Sequence, residues 1–232
     1  MGLKLSVIIP CYNEKNTILQ VIDKVELAEP NEKEIIVVDD GSDDGTREIL
    51  QKYSLKSNFK IIFHEKNLGK GSAIQSGLKS VQNDLVIIQD ADLEYNPNDY
   101  PSLLIPFKEA NADVVYGSRF AGGRRYVRIH FFWHHLANKI LTFICNIFTN
   151  LNLTDMETGY KVFKKEHISK INLKENSFGI EPEITIKLSK QKLKFFEVPI
   201  SYNGRSYSEG KKIGLKDAFR AIYCIVRYSI FD

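Results

Sequence analysis

Five short apolar runs, each closed by polar or acidic residues and spaced by helix-length segments, fill the first 117 residues and leave little choice of fold. The runs at 5–10, 34–39, 60–64, 84–90 and 113–117 are rich in Val and Ile, which suits strands buried on both faces. Segments 14–28, 44–53, 69–81 and 98–110 lie between them and read as helices. Such strands cannot pair as simple hairpins; each connection must cross over. The expected class is therefore α/β, with a mostly parallel central sheet flanked by helices. Beyond residue 117 the pattern changes. A basic stretch at 119–128 leads into a strongly apolar helix at about 131–149. Strand 160–164, helix 181–190, strand 194–200, a polar loop at 201–212 and a final helix at 214–230 follow.

With 232 residues and 43% hydrophobic content, the chain can bury one full core, and a single domain is the simplest count. The net charge of +3 hides an asymmetry. Residues 1–115 carry 12 Lys+Arg against 19 Asp+Glu, a net of −7, whereas 116–232 carry 20 against 10, a net of +10. The acidic half is expected to hold a metal and the basic half to meet an anion or an anionic surface. The basic residues are interleaved with apolar stretches, which suits lipid headgroups better than nucleic acid, and no nucleic-acid module is present. Cys11, Cys145 and Cys224 are odd in number and far apart, as expected of reduced, packed, intracellular residues and not of a disulfide frame or zinc site. Residues 1–10 read as a first strand and not as a signal peptide. The longest uncharged run, 140–154, is interrupted by Asn146, Asn150 and Asn152, so no membrane span is expected.

The chemistry concentrates at strand ends. Asp90-Ala91-Asp92-Leu93-Glu94 follows the apolar Leu85-Val86-Ile87-Ile88, at the C-terminal edge where open α/β sheets bind ligands. Two carboxylates one residue apart, with a third two further on, can hold a hard divalent cation that stays open to phosphate oxygens; alone, the run would read as a solvated acidic loop. Pro10-Cys11-Tyr12-Asn13-Glu14 closes the first strand. Asp39-Asp40-Gly41-Ser42-Asp43-Asp44-Gly45-Thr46 closes the second, with Ser42 or Asp43 expected to cap the next helix. A calcium loop fails there because Gln51 stands where a bidentate Glu is needed. Asn67-Leu68-Gly69-Lys70-Gly71-Ser72 lacks Walker spacing, which leaves a helix start with Lys70 facing the crevice or a purely structural entry.

Taken together, these four motifs resemble those of the family 2 glycosyltransferases with their GT-A, Rossmann-like fold. Gly117-Ser118-Arg119, Thr158-Gly159-Tyr160-Lys161 and the 205–211 loop resemble relatives that act on polyprenyl phosphates, such as dolichol-phosphate mannose synthases. The resemblance covers roughly residues 4–212. It implies a nucleotide-sugar half at 1–117, an acceptor half at 118–212 and a C-terminal amphipathic helix at 213–232. It also implies a UDP- or GDP-sugar donor, inversion at the anomeric carbon, and Mg²⁺ or Mn²⁺ on Asp90, Asp92 and Glu94. Glu94 stands where those relatives usually have Gln. Pro10, Tyr12, Glu14 and one of Asp39 and Asp40 are then expected on the nucleoside, with Lys70, the Asp90-Ala91-Asp92 run and Arg119 on the rest of the donor. Arg205 and Lys211 match a basic pair that closes over the donor diphosphate, where fixed cations stabilise the leaving group. Asp155 lies where other members place a base. A phosphate acceptor would leave it to orient Arg or Lys side chains, and a hydroxyl acceptor would make Asp155 or Glu157 the candidate.

Phe131, Phe132, Trp133, Leu136, Ile140, Phe143, Ile144, Ile147 and Phe148 make the first C-terminal helix apolar over most of its surface. In 214–230, Leu215, Phe219, Ile222, Val226 and Ile230 share a face beside a basic stripe of Lys212, Lys216, Arg220 and Arg227. Both helices suit a membrane interface, with a core position or a homodimer contact as the competing expectations. Arg124, Arg125 and Arg128 are placed to hold a lipid phosphate or anionic headgroups. The expected partners are a nucleotide-sugar, a polyprenyl phosphate or other lipid-linked acceptor, and the cytoplasmic membrane face, held peripherally. A saccharide hydroxyl as acceptor, and a non-catalytic nucleotide-sugar-binding subunit, are the rival readings.

Overall fold

The computed structural model describes residues 4–53, 59–122, 131–204 and 215–231. Strands β1 (Leu5–Cys11), β2 (Lys33–Asp39), β3 (Phe59–Phe63), β4 (Leu85–Ile88), β5 (Val114–Ser118), β6 (Lys161–Lys164) and β7 (Phe195–Pro199) form one sheet in the order β3-β2-β1-β4-β6-β5-β7. All neighbours pair in parallel except β6, which runs antiparallel to both β4 and β5. Helices α1 (Ile18–Leu27), α2 (Thr46–Tyr53), α3 (Lys70–Leu78) and α4 (Tyr100–Glu109) link the first five strands. Helix α5 (Phe132–Thr149), the one-turn α6 (Lys165–Ile168), α7 (Ile180–Ser189) and α8 (Leu215–Ile230) complete the described chain.

Residues alternate sides along each strand, so the sheet feeds two cores. Val7, Ile9, Val37, Ile87 and Val115 pack with α1 and α4 on one face. Ile8, Ile36, Val38, Val86 and Tyr116 pack with α3, α5, α7 and α8 on the other. All three cysteines are buried thiols. No described helix is long and apolar enough to cross a membrane.

Two boundary expectations change. The first helix begins at Ile18, four residues later than read, because the neighbouring loop holds the chain out of helix there. Glu14 N donates to Thr46 Oγ1 at 3.0 Å and Lys15 N to Asp44 Oδ2 at 3.2 Å. Helix α2 is opened by Asp44, not by Ser42 or Asp43, since its carboxylate accepts from Thr46 N at 2.9 Å. Ser42 instead accepts from Asn13 N at 3.0 Å.

The glycines before and within α3 answer to packing. A Cβ on Gly71 would be driven into the carbonyl oxygen of Glu175, and one on Gly69, at φ +102°, into that of Asn176. Gly71→Ala is therefore expected to cost about 1–3 kcal/mol in urea unfolding, because backbone on both sides resists the displacement.

Candidate active site

The chain builds β1, β2 and β3 outward in one direction, then returns to add β4 on the other side of β1. Neighbouring crossovers therefore leave in opposite directions between β1 and β4, opening a crevice at their C-terminal ends. The register Ile8↔Ile88 and Cys11↔Asp39 brings the ends of β1, β2 and β4 to one edge. The β1 and β2 loops are laced together by paired hydrogen bonds between Asn13 and Asp43, at 2.8 and 3.0 Å. Pro10 is buried at the strand end, and Tyr12, two residues on, is 37% exposed.

Of the acidic pair closing β2, Asp40 is structural. Its carboxylate accepts from Leu68 N at 3.0 Å and Gly69 N at 2.7 Å and meets His64 Nδ1 at 2.7 Å, so it braces the entry to α3. The expectation that Asp39 or Asp40 faces the nucleoside thus narrows to Asp39. That residue is buried; one carboxylate oxygen takes Arg47 Nε at 2.7 Å and the other accepts from Ser42 N at 3.3 Å. Glu14 accepts from Thr17 Oγ1 at 2.9 Å and sits half-buried beside the crevice.

Beyond β4, the acids divide. Lys70 Nζ lies 2.8 Å from Asp90 Oδ1 and 2.8 Å from Glu181 Oε1, tying the acid loop to the start of α7. Burial alone would lower this lysine's pKa, but Asp90 and Glu181 hold it well above its ordinary value. Asp92 accepts from Glu94 N at 3.1 Å, with Leu93 between them at φ +63°. Glu94 points elsewhere: its Oε2 accepts from Tyr202 OH at 2.6 Å, and its carbonyl from Asn203 N at 2.8 Å. Among the described residues no three His, Cys, Asp or Glu side chains gather to hold a metal. The expected triad therefore narrows to Asp90 and Asp92, which leaves most of a cation's coordination to other oxygens. The two fit such an ion. They are hard oxygen donors at the crevice, and Asp90 already takes the cationic Lys70 head. Gly159 leaves room for this arrangement, since a Cβ there would lie 2.6 Å from Asp90 Oδ2.

Arg119, at the end of β5, is locked to Asp155. Its Nε and Nη2 donate to the two carboxylate oxygens at 2.7 and 2.8 Å, and its backbone N–H adds a third bond at 3.0 Å. The guanidinium also stacks 5.0 Å from the Tyr202 ring centroid. Asp155 is fully buried, and Asn138 Nδ2 of α5 donates to it at 2.9 Å. Burial works against its charge, yet Arg119 holds its pKa below the usual carboxylate range. A carboxylate so held orients an arginine and makes a poor base. Next to it, burial and the nearby Glu181 charge raise Glu157 to about 7, and burial lowers Lys161 to about 8. Glu157 Oε1 and Glu181 Oε2 are buried without a hydrogen-bond partner. Sequence reading passed over Glu181 and Asn138. Glu181 looked like an ordinary helix start, whereas an Asn inside an otherwise apolar helix was a signal that could have been used.

The model of the family described as "Glycosyl transferase family 2" matches residues 6–171. The chain belongs to that family. The chain is 31% identical over 231 residues to the dolichol-phosphate mannosyltransferase of Pyrococcus furiosus, an alignment that covers 97% of the chain and 64% of that relative. The chain thus spans just under two thirds of that protein's length. It is also 30% identical over 226 residues to an uncharacterized protein of Methanocaldococcus jannaschii, covering 89% of the chain and 93% of that protein. Among solved structures, glucosyl-3-phosphoglycerate synthase of Mycobacterium tuberculosis superposes with a TM-score of 0.74 at 21% identity, over 100% of this chain and 82% of that one. The same enzyme in complex with Mn²⁺, UDP-glucose and phosphoglyceric acid gives 0.70, over 98% and 80%. The fold of the chain is accordingly GT-A. Arg124, Arg125, Arg128, Arg205 and Lys211 lie outside the described residues.

Proposed function

We propose that the protein is a metal-dependent, inverting glycosyltransferase that moves a sugar from a UDP- or GDP-sugar to a polyprenyl phosphate, held peripherally at the cytoplasmic face of the membrane. The observation that carries the acceptor side is the apolar outer face of α5, whose buried side holds the polar Asn138 and Thr142 beside Leu141 and Cys145. Asn138 and Thr142 face inward, bonded to each other at 3.0 Å and reaching Asp155 and Met156 N. Trp133, Phe143 and Ile147 face outward, 75%, 66% and 63% exposed. Helix α8 packs against α5 and adds Phe219, 73% exposed. Large apolar side chains exposed together on one helix face suit an apolar outer phase better than water. The basic stripe expected on α8 is interrupted, because Arg220 pairs with Glu175 at 2.8 Å.

On the donor side, Asp90 and Asp92 would hold Mg²⁺ or Mn²⁺, whose bound form stabilises charge on the departing diphosphate. Tyr12, Glu14 and Asp39 offer a ring and two carboxylates to the nucleoside. Lys70, Arg119, Arg205 and Lys211 would supply positive charge near the phosphates. The acceptor phosphate oxygen attacks the anomeric carbon in line, the bond to the donor diphosphate breaks, and its electron pair leaves with the nucleoside diphosphate. A phosphate acceptor is already ionised, so no base is required. A hydroxyl acceptor is the second reading, favoured by Glu157, a carboxyl whose pKa burial and the Glu181 charge raise.

The test supplies UDP-glucose, UDP-GlcNAc and GDP-mannose with Mn²⁺, with and without polyprenyl phosphate, and measures nucleoside diphosphate release and lipid product. One donor is expected to turn over, to stop with chelator, and to respond to the lipid phosphate. The Phe143→Glu/Phe219→Glu variant is expected to lose flotation with anionic vesicles while retaining donor hydrolysis. Turnover with a saccharide alone would move the assignment to the second reading. No turnover with any donor would leave a nucleotide-sugar-binding subunit.

A further inference from the structure

We infer that Lys70 is a resident counter-ion for Asp90 that gives way when metal and nucleotide arrive together, with Glu181 as the acid that receives it. The inference rests on the reading of Asp90 and Asp92 as metal ligands. Lys70 opens α3, and its ammonium bridges two acids from different parts of the chain, Asp90 after β4 and Glu181 at the start of α7, at 2.8 Å each. A cation brought to Asp90 meets an ammonium already bonded to the same carboxylate, and like charges at that range repel. Metal alone should therefore bind weakly.

Glu181 offers the way out. It is 8% exposed, and one of its oxygens, Oε2, is buried with no hydrogen-bond partner. An ammonium has three donors, so it can leave Asp90 and remain paired by engaging both Glu181 oxygens. A nucleoside diphosphate brings negative charge that offsets the crowding of lysine and metal. The structure thus favours joint loading of metal and donor over loading of metal first.

The test is Mn²⁺ binding followed by the electron paramagnetic resonance signal of the free ion, with no turnover. It uses MnCl₂ alone, with UDP and with GDP, on wild type, Lys70→Met, Lys70→Arg and Glu181→Gln, each checked for a folded melting profile. Wild type is expected to bind Mn²⁺ weakly alone and much more tightly with one nucleotide. Lys70→Met should bind Mn²⁺ alone on the order of tenfold tighter than wild type, and Lys70→Arg like wild type. Glu181→Gln, which leaves the ammonium no charged partner but Asp90, should bind on the order of tenfold more weakly with nucleotide. An unchanged or weaker Lys70→Met, or a Glu181→Gln that binds more tightly, overturns the inference. Should Lys70→Met fail to fold, the Glu181→Gln and Lys70→Arg results decide alone. Wild type that takes up no Mn²⁺ with either nucleotide would instead defeat the underlying reading of Asp90 and Asp92.

Discussion

Asp92→Ala is expected to lower metal-dependent nucleoside diphosphate release by on the order of a thousandfold or more, with little change in fold. The stability cost should be about 1 kcal/mol, because the half-buried side chain accepts from Glu94 N within its own turn. Catalysis should suffer far more, since a hard donor at the crevice would be gone while the diphosphate still has to depart with added negative charge. Asp90→Ala should lose as much activity and more stability, as it also strips Lys70 of one of its two acids. Glu94→Gln is the informative control. Its amide can still accept from Tyr202 OH, the bond that the carboxylate makes at 2.6 Å, so a loss of only a few fold is expected. Steady-state release at saturating Mn²⁺ checks the ranking. A Glu94→Gln loss as deep as that of Asp92→Ala would restore the three-acid site that the sequence pattern suggested.

That narrowing illustrates what sequence pattern carries and what it does not. Alternating apolar runs located the strands, because burial on both faces demands Val and Ile whatever the connection. Strand ends located the crevice, because the acids, Tyr12 and Ser118-Arg119 all fall where strands stop. The antiparallel direction of β6 was invisible, since a four-residue strand buried between two others reads alike in either direction. Partner choice was invisible too. Asp39 and Asp40 are adjacent and identical, yet the pleat turns one toward Arg47 and the other toward the entry of α3. Lys70 and Glu181 stand 111 residues apart, and no local periodicity announces a bridge of that span.

Asp155→Asn should destabilise the protein by about 3–5 kcal/mol at neutral pH, the loss expected when one member of a buried, hydrogen-bonded ion pair is neutralised. Arg119 cannot shed its charge, and its side chain is only 14% exposed, so the variant leaves a guanidinium held away from water. The pH dependence gives the sign. A carboxyl whose folded pKa lies below its ordinary value of 3.8 adds stability that is complete above that value and fades as pH falls through the folded one. Wild type and Asp155→Asn should therefore differ fully at pH 7 and converge in strong acid, as urea titrations across that range would record. The same variant separates the two acceptor chemistries. If Asp155 only orients Arg119 beside the stacked Tyr202 ring, the folded fraction of Asp155→Asn keeps the pH profile of wild-type kcat, with KM for donor or acceptor raised. If Asp155 were the base, kcat would fall and the acid limb of that profile would vanish. The carboxylate already accepts two guanidinium N–H groups, a backbone N–H and an Asn amide, which leaves little of its capacity for an incoming proton and favours the first outcome.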